Sequence, residues 1–128
     1  MAEAVRYFHG GYGGLKVSDL VLPPSVTGAV STASYGAASV CRRDRVYITS
    51  QFDNAVDAAA VHPSGRGRVY EVKPLGEITP DPDALLMPGQ EPWSWECPKA
   101  VVVAVHRIPG KTKKRIKKKL GREFGVVL

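Results

Sequence analysis

Long apolar runs are missing from this 128-residue chain. The longest is AVVVAV, residues 100–105, whereas a helix that crosses a membrane needs about 20 apolar residues. The first residues include Glu3 and no apolar stretch, so we expect no signal peptide, no membrane partner and a cytoplasmic location. Apolar residues make up 44% of the chain, an ordinary value for one globular domain with a modest core.

Cysteine is scarce as well, with Cys41 and Cys97 the two in the sequence. Two cysteines cannot build a disulfide scaffold, so we expect reduced thiols, with one disulfide as the alternative. Together with His9, His62 and His106, they include no pair at the spacing typical of metal ligands. We therefore expect no metal cofactor.

Three common catalytic or nucleotide-binding motifs are incomplete or missing. The glycine-rich stretch 10–14 fails the dinucleotide pattern G-x-G-x-x-G, because Lys16 stands where the third glycine belongs. The sequence Gly110-Lys111-Thr112 matches the end of a phosphate-binding loop, but Val105 replaces the first glycine of that motif. The pattern G-x-S-x-G is absent. These gaps disfavour dinucleotide oxidoreductases, nucleoside triphosphatases and serine hydrolases.

Positive charge is concentrated at one end of the chain. The net charge is +6, but residues 110–128 alone carry eight basic residues and one acidic residue, a local net charge of +7. The preceding residues carry ten basic and eleven acidic side chains, a net charge of −1. A domain that binds nucleic acid with its whole surface would not show this division. We therefore divide the chain into a domain, 1–109, and a basic helical tail, 110–128.

The basic tail has the pattern of an amphipathic helix. Ile116 and Leu120 are four residues apart and share one face, lysines and arginines occupy the rest, and Gly121 is expected to end the helix. The segment Lys111–Lys119 could bind nucleic acid or an acidic partner. The apolar face could equally pack on the protein's own body, and both interpretations stay open.

Short apolar segments separated by turn residues predict mainly strands. Residues 54–61 are alanine-rich and predict a short helix with Asp53 as its N-cap. The segment 25–43 shows no period and is expected to be a loop or lid, and 100–105 is expected to be a strand buried on both faces. Because strands and helices do not alternate, we expect an α+β fold. The predicted strands are Val5–Phe8, which ends at the glycines, then Leu20–Leu22, Arg45–Ser50, Arg66–Pro74 and Ala100–Val105.

Several short motifs follow one another in a specific order. They are FHG (8–10), SDLVLP (18–23), VYIT (46–49), GRGRVY (65–70), PLG (74–76), DPD (81–83) and a valine-rich strand (98–105). Taken together, they resemble the small ADP-ribosyltransferases that inactivate rifamycin antibiotics, relatives of diphtheria-type toxins and poly-ADP-ribose polymerases. The resemblance covers roughly Tyr7 to Ile108, and GRGRVY is its most specific piece. It implies a single-domain ADP-ribosyltransferase fold, a split β-sandwich with few short helices around an NAD cleft.

The resemblance also implies a reaction and roles for named residues. ADP-ribose would move from NAD, which is a substrate here, to an acceptor hydroxyl, with a rifamycin as the leading acceptor. His9 would hydrogen-bond a ribose hydroxyl, and the backbone of Gly10 would hold the nicotinamide amide. Tyr47 would stack on the nicotinamide ring, and Thr49 would add a hydroxyl contact.

Two carboxylates compete for one catalytic role under this resemblance. Asp81 would stabilise the positive charge on the reacting ribose or accept the proton of the acceptor hydroxyl. Glu96 lies roughly where toxins and polymerases of this fold keep a catalytic glutamate. We favour Asp81 and keep Glu96 as the alternative. Arg66 or Arg68 could meet the pyrophosphate, and the alternative is that both lie at a solvated strand end.

The sequence departs from the family pattern where an acidic pair is expected before the turn proline, since only Asp81 is acidic there. This leaves the acceptor open, and a protein or nucleic-acid acceptor is the second possibility. A different hypothesis is a non-enzymatic module that has kept the fold, lost the chemistry and binds an assembly or nucleic acid through its basic tail. We expect a monomer in each case.

Overall fold

An antiparallel sheet forms the centre of the structure, which is a computed structural model. It describes residues 5–23, 45–62, 66–81 and 93–124; for residues 123 and 124 it describes the backbone alone. The predicted loop at 25–43, with Cys41, lies outside the described residues. In chain order the elements are β1 (Tyr7–Tyr12), β2 (Leu20–Val21), β3 (Val46–Thr49), α1 (Phe52–Ala60), β4 (Gly67–Leu75), β5 (Thr79–Pro80), β6 (Ser94–Cys97), β7 (Lys99–His106) and α2 (Gly110–Phe124).

The seven described strands form one sheet in the order β2-β7-β4-β1-β3-β6-β5. Every ladder between them is antiparallel. Strands therefore dominate and helices do not alternate with them, which confirms the α+β class. No helix in the described ranges is long and apolar enough to cross a membrane.

Strand β4 divides the apolar side chains between two cores, one on each face of the sheet. Val69 packs under α1 with Phe8, whereas Tyr70 and Val72 pack on the opposite face. This is the alternation that its sequence predicts. Tyr70 is fully buried, and its hydroxyl donates to the carbonyl oxygen of Tyr12 over 2.7 Å, so its polar end is satisfied.

Cys97 belongs to the larger core as a free, buried thiol. Burial raises the pKa of this thiol to about 11, so it stays protonated at neutral pH. A protonated thiol is a poor nucleophile and a poor metal ligand. Cys97 therefore acts as a small apolar core residue, as expected for a reduced cysteine.

Strand β1 continues through the glycines at 10–11, so the prediction of a strand that ends there is wrong. Its ladder with β4 runs on until its last residue lies opposite Gly67. These glycines allow α1 to pack directly on the sheet. A Cβ on Gly10 would overlap the carbonyl oxygen of Ala55, and a Cβ on Gly67 would overlap that of Ala59.

Both helix boundaries differ from the predicted ones. Helix α1 begins at Phe52, and Gln51 occupies the N-cap position without a side-chain cap bond, so the prediction of Asp53 as the cap is wrong. Asp53 lies in the first turn, where its negative charge still favours the helix N-terminus. Helix α2 continues past Gly121 to Phe124.

Helix α2 packs against the body of the protein by one face. Ile116 is 9% exposed and lines a cavity between α1 and α2. Leu120, one turn further along, is half-buried. The predicted division of the chain at residue 109 stays a prediction, because a helix packed in this way can belong to the same folding unit as the sheet.

Strand β7 is buried on one face rather than on both, contrary to the prediction. Val102 is 1% exposed, but Val103 is 44% exposed. Val103 also lies at a β-bulge: Glu71 of β4 lies opposite Ala104 and the next residue lies opposite Val102, which leaves Val103 without a partner in the ladder with β4. Strands β5 and β6 were not predicted, because prolines dominate their surroundings. Pro80 is tolerated in β5 because that strand lies at the sheet edge.

We expect the substitution Gly67→Ala to lower the free energy of unfolding by about 1–3 kcal/mol, because the new Cβ would meet backbone atoms of Ala59 that cannot move aside. Gly110→Ala is the matched control, since a Cβ there has no neighbour within 4 Å. Urea unfolding followed by circular dichroism measures both variants. Equal stability of the two would contradict the close packing of α1 on β4.

Candidate functional site

The ring of His9 connects β1 to β3 where their pairing stops. The described ladder between these strands contains a single pair, Phe8 opposite Thr49. One residue further along β1, Nδ1 of His9 lies 2.8 Å from the carbonyl oxygen of Tyr47. A carbonyl oxygen only accepts hydrogen bonds, so Nδ1 is the donor, and Nε2 of the neutral ring keeps a lone pair.

Burial keeps this imidazole neutral, and the missing side chain of Gly11 leaves room for its ring. Burial lowers the pKa of His9 below its ordinary value of 6.5; the hydrogen bond to Tyr47 opposes that shift, and the nearby His62 adds to it. Gly11 lies against the ring, since a Cβ there would stand 2.7 Å from Nε2. At neutral pH the site therefore presents Nε2 of His9 as a hydrogen-bond acceptor.

Tyr47 and Glu96 are neighbours on one face of the sheet. Tyr47 of β3 lies directly opposite Glu96 of β6, which in turn lies opposite Thr79 of β5. Residues paired in this way have Cβ atoms about 4.5–5.5 Å apart. Glu96 is 5% exposed, and Thr79 Oγ1 donates to Glu96 Oε1 over 3.4 Å. A buried carboxylate thus lies beside the tyrosine.

Asp81 is hydrogen-bonded to Ser94 of β6, two residues before Glu96. Its backbone N–H donates to the carbonyl oxygen of Ser94 over 2.9 Å. The hydroxyl of Ser94 donates back to Asp81 Oδ2, also over 2.9 Å. Ser94 lies opposite Thr49, so it shares the face of Tyr47 and Glu96. Glu96 on β6 and Asp81 beside β6 are therefore both close to the position of Tyr47 on β3.

Thr49 uses its hydroxyl within the protein. The residue is 7% exposed, its Oγ1 donates to the carbonyl oxygen of Trp93 over 2.8 Å, and it accepts from the N–H of Gln51 over 3.0 Å. These bonds fix the start of α1 and the entry to β6. One lone pair of the hydroxyl is left, so the contact of Thr49 with a cofactor stays a prediction.

The two arginines of the GRGRVY motif have different environments. Arg66 precedes β4 and is exposed, whereas Arg68 is partly buried and lies opposite Gly11 of β1. His9 lies opposite Tyr70 two positions along the same ladder. Residues two positions apart share a face, so Arg68 and His9 share one. Because Phe8 lies opposite Thr49, the same alternation places the side chains of Tyr47 and Glu96 on the other face, and His9 meets Tyr47 through its backbone carbonyl. Arg68 is the better placed of the two for a ligand that contacts His9.

Sequence reasoning missed Ser94 and Thr79, the two residues that bind the candidate carboxylates. The available signal was the alternation of polar Ser94 and Glu96 with Trp95 and Cys97, which is the period of a strand. Trp95 packs on the other face, with its ring edge-on to that of Tyr7 at a centroid distance of 5.4 Å.

Two other features bear on the site. A cavity of about 560 Å³ lies between α1 and α2, and none of His9, Tyr47, Asp81 and Glu96 lines it. The described parts of the chain hold no group of three or more histidine, cysteine or acidic side chains that could bind a metal ion. The candidate site is therefore the one built from β1, β3 and β6, away from that cavity.

Comparison with known proteins links this arrangement to one family. The model of the family described as rifampin ADP-ribosyl transferase, Arr-ms, matches residues 7–107. The match covers all seven strands and α1, and it leaves α2 outside. No curated protein matches the chain.

Protonation of His9 should make the fold less stable in mild acid. Burial lowers its pKa, so below pH 6.5 the unfolded chain takes up a proton that the folded protein resists. We expect full stability above that pH and a decline as the pH falls below it. Urea unfolding at several values between about pH 5 and pH 8 measures the slope.

The variant His9→Asn is the control for this titration, because its amide can still donate to the Tyr47 carbonyl oxygen but does not ionise. We expect a shallower decline of stability in acid for this variant. His62 titrates in both proteins, so the difference between them isolates His9. Identical slopes would show that His9 is not buried as a neutral ring.

Proposed function

Because the chain belongs to the rifampin ADP-ribosyl transferase family, we propose that it transfers ADP-ribose from NAD to a hydroxyl of a rifamycin antibiotic and releases nicotinamide. The observation that carries this proposal is the hydrogen bond of His9 to the backbone of Tyr47, with Glu96 opposite that tyrosine. We assign the NAD cleft to the break in pairing between β1 and β3, which would be the split of the β-sandwich.

His9 and Tyr47 would hold the nicotinamide riboside half of NAD. Nε2 of His9 can accept a hydrogen bond from a ribose hydroxyl, because its other nitrogen already donates to the Tyr47 carbonyl oxygen. The Tyr47 ring suits a flat, cationic nicotinamide. Gly10 would contact the carboxamide with its backbone N–H and C=O. A side chain could not do this, because α1 occupies the place of a Cβ at this position.

The bond that breaks joins C1′ of the ribose to the nitrogen of nicotinamide. Its electron pair leaves with nicotinamide, which departs neutral, and positive charge develops on the ribose as in glycoside cleavage. The oxygen of the acceptor hydroxyl then bonds to C1′, and its proton passes to a carboxylate. A negative side chain close to the ribose stabilises this charge and can accept that proton.

We assign the proton to Asp81 and a supporting position to Glu96. Asp81 is half-buried and held by Ser94, so an acceptor from solvent could reach it. Glu96 is 5% exposed and bound by Thr79 within the sheet, which suits a group that stabilises charge beside Tyr47. Arg68 would bind the pyrophosphate, and Thr49 would offer the remaining lone pair of its hydroxyl.

The test is to incubate the purified protein with NAD and rifampicin and to follow both products by mass spectrometry. We expect free nicotinamide and a drug whose mass has increased by one ADP-ribosyl group. Nicotinamide release without a change in the drug would exclude the rifamycin acceptor and keep the transferase. Neither product, in a protein that is folded by circular dichroism, would favour the module that has lost its chemistry.

Tyr47→Ala should abolish nicotinamide release, because the stacking surface for the departing ring is removed. Tyr12→Ala is the matched control, because it removes the aromatic ring of a residue that is 57% exposed at the end of β1. We expect the control to keep near-normal activity. Equal rates in the two variants would place the nicotinamide elsewhere.

Asp81→Asn should lower kcat for drug modification by about 10²–10⁴-fold, because the amide cannot accept the hydroxyl proton. Glu96→Gln should lower the rate less if its role is charge stabilisation alone. Glu77→Gln, an exposed carboxylate outside the site, is the matched control and should have no effect. A greater loss in Glu96→Gln than in Asp81→Asn would reverse the assignment of the two carboxylates.

A further inference from the structure

Helix α2 takes no part in the proposed reaction. It covers Gly110–Phe124, outside the residues matched by the family, 7–107. It is also the most strongly charged element, since its segment 110–122 holds eight basic residues and no acidic one. The proposed transferase chemistry gives this concentration of one charge no role.

The exposed cations of α2 lie on the side of the helix that does not pack on the protein. Thr112, Ile116 and Leu120 are buried or half-buried and form the side that packs on the protein. At 3.6 residues per turn, the exposed cations fall within one arc on the opposite side. These six residues, here called the basic stripe, are Lys111, Lys114, Arg115, Lys118, Lys119 and Arg122.

The basic stripe weakens the helix that carries it. The first turn of α2 contains no acidic residue and has Lys111 instead, although a helix N-terminus favours negative charge. Stripe residues recur at i and i+4, as in Lys114 and Lys118, and each like-charged pair of this kind destabilises a helix by about 0.2–0.5 kcal/mol. An anionic partner would relieve this repulsion.

Acidic side chains of the described residues meet only part of the stripe. No ion pair involves a stripe residue in the ranges that the structure describes. Arg115 and Lys119 line the cavity between the helices together with Asp53 and Asp57, so these two cations are partly balanced. The other four do not line this cavity, and their side chains are exposed to solvent.

We propose that the basic stripe binds the phosphate backbone of nucleic acid, without sequence preference. From Lys111 to Arg122 the helix rises about 16 Å, so the stripe presents a straight row of cations. A duplex carries about one negative charge per 1.7 Å of its axis, so several phosphates can lie along that row. The inference is independent of the proposed reaction, because no stripe residue belongs to the candidate site.

The stripe fits a nucleic acid better than a membrane or a protein. A helix that inserts into a membrane surface needs a free apolar face, but the apolar face of α2, with Ile116, packs on the protein. Protein interfaces are held by aromatic and other well-packed anchors. The large apolar side chains whose burial is described on α2, Ile116 and Leu120, are on the side that packs on the protein. Repeated cations without anchors are typical of binding to a backbone of phosphates.

The experiment measures binding of a fluorescent 16-base-pair DNA duplex of mixed sequence by anisotropy at several salt concentrations. We expect the logarithm of the affinity to fall with the logarithm of salt with a slope of about −4 to −5, since four to six cations contact phosphates. The double variant Lys114→Glu/Lys118→Glu should lose at least about tenfold in affinity. Its helix content is checked by circular dichroism.

The double variant Lys73→Glu/Lys99→Glu is the matched control, because it changes the net charge equally at exposed lysines of the sheet. We expect it to bind DNA nearly as the wild type does. Equal losses in the two double variants would mean that overall charge, rather than the stripe, binds DNA, and would overturn the proposal. Binding to phosphatidylserine vesicles with no binding to the duplex would overturn it as well.

Discussion

The candidate site depends on one hydrogen bond, from Nδ1 of His9 to the carbonyl oxygen of Tyr47. A buried backbone carbonyl needs a donor, and at this point the ladder between β1 and β3 has stopped, so a side chain supplies it. The same bond fixes the proton on Nδ1 and turns Nε2 into an acceptor. The end of the ladder and the chemistry of the ring thus meet in one contact.

The glycines after His9 show how the fold protects this contact. Gly10 is required by the backbone of α1, which lies where a Cβ would be, and Gly11 is required by the ring of His9 itself. The sequence analysis assigns the missing side chain of Gly10 to the close approach of a ligand. In the structure, the space that a side chain would need is occupied by the protein itself: by α1 at Gly10 and by the His9 ring at Gly11.

The parts of the fold that could be predicted are those with local signals. The alternation in β4 and the alanine-rich composition of α1 predicted a strand and a helix in the right places. The bulge at Val103 could not be predicted, because it depends on register with β4. For the site, resemblance singled out His9, Tyr47 and Asp81, but Ser94 and Thr79 act through pairing between distant strands. That pairing is a property of the sheet and not of any short motif.

The two carboxylates beside Tyr47 differ in how the fold holds them, and this difference matters more than their proximity. Glu96 lies inside two ladders, with Tyr47 opposite on one side and Thr79 on the other, so it cannot move without disturbing three strands. Asp81 is tied to β6 through Ser94, by one backbone bond and one side-chain bond. A group that must approach a variable acceptor needs limited freedom, whereas a group that stabilises charge at a fixed point needs none. The tether of Asp81 and the enclosure of Glu96 suit these two tasks respectively.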